Sequence, residues 1–210
     1  MNIAHVFFLL LIASVISGCN NKASSSNKTA AAAPVVKQGV KPVADNEIAV
    51  IEMENPAAFG TIRMELYSNI APKMVAQFKQ LAREGFYDGT TFHRVNQSVI
   101  QGGDPNSKDA DPRNDGTGGS DKPDVAAEFS DIPYEAGIVG AARSQDFDSA
   151  NSQFFITLKR EAAFDNKYTI FGKVVEGMNN VRTISGVQPK EGERPIEPVK
   201  IKSVTIQPKN

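Results

Sequence analysis

The chain has 210 residues, 40% of them hydrophobic and 22% charged, which suits one ordinary domain with additional sequence at an end. Its formal net charge of −1 argues against a general attraction to nucleic acid, and no nucleic-acid partner is expected. The single cysteine excludes an internal disulfide and a CxxC pair. The two histidines, His5 and His93, are far apart, so we expect neither a metal site nor a cofactor.

The first residues have the pattern of an export signal. Residues 6–16 form an apolar run of the length of a signal-peptide h-region, too short to span a bilayer. The run ends in Ile16-Ser17-Gly18-Cys19, which is similar to a bacterial lipobox. That similarity implies cleavage after residue 18 and lipidation of Cys19. A free thiol in an ordinary signal peptide is the alternative, and the absence of Lys and Arg from residues 1–5 is a departure from the usual signal.

A lipid anchor would place the chain in the cell envelope. Two or more acyl chains are needed for stable anchoring, because one gives only marginal membrane binding. Asn20 follows the cysteine, which in Gram-negative lipoproteins favours the outer membrane, facing the periplasm. Residues 20–45 are rich in Ser, Ala, Pro and Lys without apolar periodicity, and predict a flexible spacer. The predicted organisation is therefore a signal peptide at 1–18, a lipidated cysteine with a linker at 19–45, and a folded domain at 46–210.

The predicted domain consists of short strands and two helices. Strands are predicted at 47–54, 60–66, 91–95, 98–101, 137–142, 152–158, 169–175 and 199–206. Pro72 suits the first turn of a helix that ends at Gly85, and a second helix is predicted at 178–184. This tally favours a mainly β fold, a closed eight-stranded antiparallel β-barrel capped by two α-helices. The strand count alone does not distinguish it from a lipocalin-like barrel.

A long polar loop is predicted at 104–124. It contains four aspartates, at positions 104, 109, 111 and 115. A calcium loop is not favoured, because Lys108 occupies a ligand position and no bidentate Glu follows. Residues 116–119, Gly-Thr-Gly-Gly, lack the Lys-Ser/Thr of a P-loop. We expect a solvated, acidic surface loop.

The stretch 91–105 carries the strongest local pattern. Two β-type runs, 91–95 and 98–101, flank Asn96-Gln97 and predict a tight hairpin. Period-two alternation would turn Phe92 and Arg94 to the same face. An arginine inside an apolar strand must reach water, a carboxylate or a substrate.

Four separated motifs resemble the cyclophilins, a family of peptidyl-prolyl cis-trans isomerases. They are residues 91–105, 137–142, 151–157 and 168–178, and the resemblance extends over roughly 46–208. It implies a barrel with a helix over each end. It also implies isomerisation of Xaa-Pro bonds, proline-containing polypeptides as partners and action as a monomer.

The resemblance assigns roles to individual residues. Arg94 would be catalytic, donating a hydrogen bond to the prolyl nitrogen, which regains its lone pair when the amide is twisted. Gln101 would bind the substrate backbone. The other substrate-binding positions would be Val99, Ala142, Arg143, Phe155, Phe164 and Tyr168.

Some positions depart from the family pattern. Ser98 stands where the family has a pocket phenylalanine, the turn before Gln101 is one residue shorter, and Ala163 replaces the tryptophan of cyclosporin-sensitive members. These departures leave open a non-catalytic proline-peptide binder or chaperone. A lipid-binding barrel lipoprotein is a further alternative, although it would need an open interior, which the bulky strand residues do not favour.

Overall fold

The computed structural model describes residues 34–109, 111–189 and 191–209. The predicted signal peptide, Cys19 and the first part of the spacer lie outside these described residues. The β-strands are β1 Glu47–Met53, β2 Thr61–Leu66, β3 Arg94–Val95, β4 Val99–Gly102, β5 Ile138–Ala141, β6 Phe154–Thr157, β7 Ile170–Glu176 and β8 Ile201–Pro208. The α-helices are α1 Pro56–Phe59, α2 Pro72–Arg83 and α3 Met178–Ser185. Within the described ranges no helix is both long and apolar enough to cross a bilayer.

All eight strands join one sheet in the order β3-β4-β6-β5-β7-β2-β1-β8, and every pairing is antiparallel. The mainly β fold with eight antiparallel strands is therefore confirmed. The closed barrel is not, because the edge strands β3 and β8 share no ladder in the described chain. Instead the chain just before each strand meets at a single bridge between Thr91 and Lys200, supported by a hydrogen bond from Phe92 N to Val199 O at 2.9 Å.

Apolar side chains cover both faces of this sheet. Along β6, Phe154 and Ile156 belong to the larger buried cluster, which also contains the apolar stripe of α2 and residues of α3. Phe155, between them, belongs to a second cluster. The two clusters lie on opposite faces because successive strand residues point in opposite directions. The second cluster supports the candidate site.

The two predicted helices are confirmed, and each is fixed by specific contacts. The predicted stripe of α2 is buried throughout: Met74, Val75, Phe78, Leu81 and Ala82. Ala71 cannot cap this helix with a side chain, so the buried carboxylate of Glu128 accepts hydrogen bonds from Lys73 N and Met74 N at 3.1 and 3.0 Å. The single turn α1 was not predicted; Asn55 caps it by accepting from Ala58 N.

The predicted alternation before the hairpin is wrong. Phe92 is fully buried whereas Arg94 is exposed, so the two side chains do not share a face. The reason is that the regular strand comprises only Arg94 and Val95, and Thr91 takes part in an isolated bridge. Without a continuous ladder, the period-two rule does not apply between residues 91 and 94.

Residues 34–45, named here the strap, lie against the domain. Lys37 N donates to Phe129 O at 2.8 Å, and Lys37 O accepts from Asp131 N at 3.0 Å. The Nζ of Lys37 donates to Ile70 O at 2.6 Å, and Gly39 N donates to the Asp131 carboxylate at 2.8 Å. The strap differs from the flexible spacer predicted here, because its order depends on pairing with distant backbone groups.

Candidate active site

The hairpin brings Arg94 and Gln101 together as register partners on β3 and β4. Its turn is closed by the side chain of Asn96, whose Oδ1 accepts hydrogen bonds from Ser98 N at 2.7 Å and Val99 N at 2.8 Å. This double acceptance pairs two backbone amides of the shortened turn. The turn leaves Ser98 half-buried, with its carbonyl accepting from Leu158 N at 2.8 Å.

A cavity of about 110 Å³ opens between the hairpin and the neighbouring strands. Its lining consists of Arg94, Val99, Gln101, Ala142, Arg143, Phe155, Phe164 and Tyr168. These are the eight catalytic and substrate-binding residues that the sequence predicted, and the structure brings all of them together. Ser98 is not part of the lining, so the shortened turn has taken this position away from the pocket. The chemical roles of the eight residues stay predictions.

The floor of the cavity is aromatic. The ring centroid of Phe155 lies 5.4 Å from that of Phe164 and 5.5 Å from that of Tyr168, both in edge-on geometry. Behind it, Tyr134 stacks on Phe155 at 5.8 Å and an interplanar angle of 24°. Such a rigid apolar wall suits a small saturated ring.

Tyr134 was missed by the sequence reasoning. It is fully buried outside the named strands, and burial raises the pKa of its hydroxyl. The hydroxyl has no hydrogen-bond partner among the described residues. Because no periodicity surrounds Tyr134, only its aromatic character could have indicated a role in packing.

The side chain of Arg94 forms an ion pair with a carboxylate. Its Nε donates to Oε2 of Glu193 at 2.6 Å, and its Nη1 lies 3.5 Å from Oε1 of Gln101. Burial alone would raise the pKa of Glu193, but hydrogen bonds from Asn96 and Arg94, together with the arginine charge, lower it below its usual value. The sequence predicted a need for a partner at Arg94 but not Glu193, which follows 99 positions later.

Gln101 is oriented by a relay of amides. Its Nε2 donates to Oε1 of Gln153 at 2.9 Å, and Nε2 of Gln153 donates to Gly118 O at 2.8 Å. The relay fixes Oε1 of Gln101 towards Arg94. It also borders a second depression of about 280 Å³ between Gly118 and Arg143.

Arg143 forms a wall of the site through packing. Its guanidinium lies 4.6 Å from the ring centroids of both Phe147 and Tyr168. Its Nε and Nη2 donate to Lys167 O at 3.1 and 2.8 Å, and its Nη1 donates to Ser144 O at 2.8 Å. The side chain is therefore held by the protein on every edge.

The loop at 104–124 is only partly the solvated loop predicted. Asp104 is fully buried and accepts from Asn106 N at 2.8 Å, and Asp115 forms an ion pair with Arg194. His93 lies beside them at 5% exposure, and burial lowers its pKa despite the charges of Asp104 and Asp115. Among the residues that the structure describes, no group of three or more side chains could hold a metal ion.

Comparison with known proteins identifies the family. The model for the cyclophilin type peptidyl-prolyl cis-trans isomerases matches residues 49–206. A probable peptidyl-prolyl cis-trans isomerase of Brucella suis is 44% identical over 153 residues, covering 70% of this chain and 78% of the relative. The isomerase ppi1 of Schizosaccharomyces pombe is 41% identical over 155 residues, covering 71% of this chain and 94% of the relative.

A solved structure agrees with these relatives. The Cryptosporidium parvum cyclophilin type isomerase, crystallised in the presence of the dipeptide Ala-Pro, superposes with a TM-score of 0.68 at 27% identity. The match covers 77% of this chain and 99% of that one. The chain belongs to the cyclophilin-type peptidyl-prolyl cis-trans isomerases, and it is an isomerase.

Proposed function

We propose that this isomerase acts on exported polypeptides, folding or unfolded, with Arg94 as its catalytic residue. The observation that carries the proposal is the cavity of about 110 Å³, in which an arginine borders a pocket floored by Phe155. An arginine side chain is charged at any ordinary pH and has a rigid donor geometry. The site thus combines a cavity for a proline ring with a fixed hydrogen-bond donor.

The reaction needs no covalent intermediate. Rotation about an Xaa-Pro bond is opposed by amide resonance, and the barrier is about 18–20 kcal/mol. The aromatic floor holds the ring while Gln101 binds the neighbouring backbone, so the remaining amide can twist. In the twisted state the prolyl nitrogen regains a lone pair and accepts a hydrogen bond from Arg94. This contact exists chiefly in the transition state and therefore lowers the barrier.

A peptide ligand is supported by the solved relative from Cryptosporidium parvum, which was crystallised in the presence of Ala-Pro. An Ala-Pro peptide is accordingly the test substrate for this chain. We propose that the protein works as a monomer and without a cofactor, since every group in the mechanism comes from one domain.

Substitution of Arg94 tests the catalytic role. Loss of one preorganised donor costs about 3 kcal/mol, so Arg94→Ala should lower turnover on the order of 100-fold while peptide affinity falls much less. Arg94→Lys should restore only part of the rate, because an ammonium lacks the planar fork and is more strongly hydrated. The measurement is exchange spectroscopy on an Ala-Pro peptide, with circular dichroism to verify folding.

A matched control uses Arg63→Ala. Arg63 is also a partly exposed strand arginine, paired with Glu176 at 3.4 Å, and it does not line the cavity. This variant should keep the wild-type rate. Full turnover in folded Arg94→Ala would instead favour the non-catalytic peptide binder, for which the absence of Ser98 from the pocket lining is the supporting observation.

We also propose that residues 1–18 are removed and that lipid on Cys19 holds the protein in the cell envelope, at the periplasmic face of the outer membrane in a Gram-negative cell. The support is the lipobox-like Ile16-Ser17-Gly18-Cys19. Cys19→Ser should remain uncleaved or leave the detergent phase on partitioning. If the variant still sediments with membranes after alkaline washing, lipid on this cysteine is not the anchor.

A further inference from the structure

Arg94 is held by a residue from outside the hairpin. Glu193 lies in the short turn Glu191–Glu193 that precedes β8, and its carboxylate contacts Nε of Arg94 at 2.6 Å. The two side chains are 46% and 42% exposed, so the pair lies at the rim of the site. An exposed ion pair of two long side chains gives little stability by itself. Folding stability therefore does not explain why this ion pair lies beside the cavity.

The backbone at Glu193 is strained. Its φ is 68°, directly after Gly192 with φ 78°. Within the described ranges, Glu193 and Asn166 are the two non-glycine residues with positive φ. Positive φ is unfavourable for a residue with a Cβ, and such a residue keeps this conformation only where its surroundings enforce it. Residues of this kind cluster at functional sites.

The residues that follow Glu193 hold its backbone in this conformation. Arg194 forms an ion pair with Asp115, whose side chain is only 6% exposed. Pro195 bridges to Pro189, which closes the base of the turn. The turn is thus fastened to the loop that borders the site, and the carboxylate of Glu193 is fixed relative to the cavity.

The mode of contact leaves the reacting edge of the arginine available. A guanidinium carries five N–H donors. Glu193 takes the one on Nε, and the 3.5 Å approach of Gln101 involves Nη1. Nη2 of Arg94 has no hydrogen-bond partner among the described residues. A carboxylate on the Nε edge consequently fixes the rotation of the guanidinium without occupying the nitrogens that would face a substrate.

We propose that Glu193 is a positioning residue for catalysis: its carboxylate orients Arg94 so that the terminal guanidinium nitrogens point at the prolyl nitrogen of the twisted amide. This inference rests on the proposed catalytic role of Arg94. Orientation of a donor in advance avoids reorganisation at the moment of reaction. An arginine on a two-residue edge strand would otherwise lose this orientation through its own side-chain freedom.

The sharpest test is Glu193→Gly in the full chain. Glycine removes the carboxylate and is also favoured at φ 68°, so the variant should fold at least as well as the wild type. We expect kcat for an Ala-Pro peptide to fall about 10-fold and KM to stay unchanged. This loss is smaller than the roughly 100-fold that a 1 Å misplacement of a catalytic group can cost. Glu193→Gln, which keeps an acceptor oxygen, should lose less. Glu176→Gln, in the ion pair with Arg63, is the matched control and should not change kcat.

Combination with Arg94→Ala separates this inference from the proposed function. If Glu193 acts through the arginine, Glu193→Gly should cause no further loss in the Arg94→Ala background. A wild-type kcat in Glu193→Gly alongside a slow Arg94→Ala overturns the positioning role and leaves the catalytic role of Arg94 intact. A raised kcat also overturns it, because Glu193 would then compete with the substrate. Full turnover in Arg94→Ala refutes both.

Discussion

Gly140 limits the depth of the cavity that we propose as the proline pocket. It is the register partner of Phe155 across β5 and β6. A Cβ added at Gly140 would clash most closely with Cζ of Phe155. It would also lie 2.8 Å from Cε2 of the same ring and 2.7 Å from the hydroxyl of Tyr134, whereas ordinary contact begins near 3.4 Å. Cε2 alone requires a retreat of ~0.6 Å, the difference between 3.4 and 2.8 Å, and the closer Cζ requires the Phe155 ring to move further still. Because fully buried Tyr134 stacks behind that ring, the cavity is the open direction.

Gly140→Ala should therefore damage substrate binding more than the catalytic step. Overpacking of this kind costs about 1–3 kcal/mol of folding stability. In a cavity of only about 110 Å³, the displaced ring takes space from the substrate proline. A loss of about 1.4 kcal/mol of binding free energy would raise KM roughly tenfold. The guanidinium of Arg94 is not displaced directly, so kcat should change much less.

The assay is peptide exchange over a range of substrate concentrations, with thermal unfolding followed by circular dichroism. Gly186→Ala at the end of α3 is the matched control, since its φ is −85° and an added Cβ would lie 3.5 Å from the nearest atoms. It should leave both KM and the melting temperature near wild type. A folded Gly140→Ala variant with unchanged KM and melting temperature would show that the ring can move without narrowing the pocket, and would refute the reasoning.

Three further predictions concern the strap, His93 and Ser98. Deletion of residues 34–41 should lower the melting temperature, because Phe129 O loses its hydrogen-bond partner and each lost hydrogen bond costs about 1 kcal/mol of folding stability. Deletion from a true spacer would leave the melting temperature unchanged. Burial lowers the pKa of His93. Below about pH 6.5 the unfolded chain therefore binds a proton that the folded chain does not, and folding stability should decrease as the pH is lowered towards the folded pKa. In melting curves recorded against pH, His93→Gln should reduce this slope, and an unchanged slope would contradict the assignment. Ser98→Phe should leave turnover unchanged, and a gain would show that position 98 reaches the pocket after all.

The family resemblance predicted the residues that line the cavity, and most of them lie within or beside regular strands, whereas Phe164 belongs to the short turn Ala162–Phe164. Val99 pairs with Thr157 and Gln101 pairs with Phe155, so motifs far apart in the sequence meet through antiparallel register. The two-residue period then decides which side chains share a face. On β2 this period is also confirmed, with Ile62 and Met64 buried. Local pattern and family resemblance were sufficient wherever a ladder continues.

The remaining features depend on irregular segments, which carry no period. Glu193 reaches the site from a turn, Tyr134 from a chain segment between strands, and the strap docks through backbone groups of Phe129 and Asp131. Composition favoured a spacer for the strap because it contains little apolar surface to bury. The face of Phe92 was predicted wrongly since the ladder stops at Arg94. These placements are set by tertiary contacts that no short window of sequence contains.

The sheet order has a consequence for how the enzyme is made. β1 pairs with β8, so β1 cannot complete this ladder until β8 has been synthesised. The same delay applies to Arg94, whose carboxylate partner follows 99 positions later. Pairings this distant in sequence make folding slow, on a scale of milliseconds to seconds for comparable β-rich domains. At about 5–20 residues per second, the ribosome needs about 5–20 s to synthesise the chain from Arg94 to Glu193. The isomerase therefore brings Arg94 and Glu193 together only after residue 193 has been synthesised.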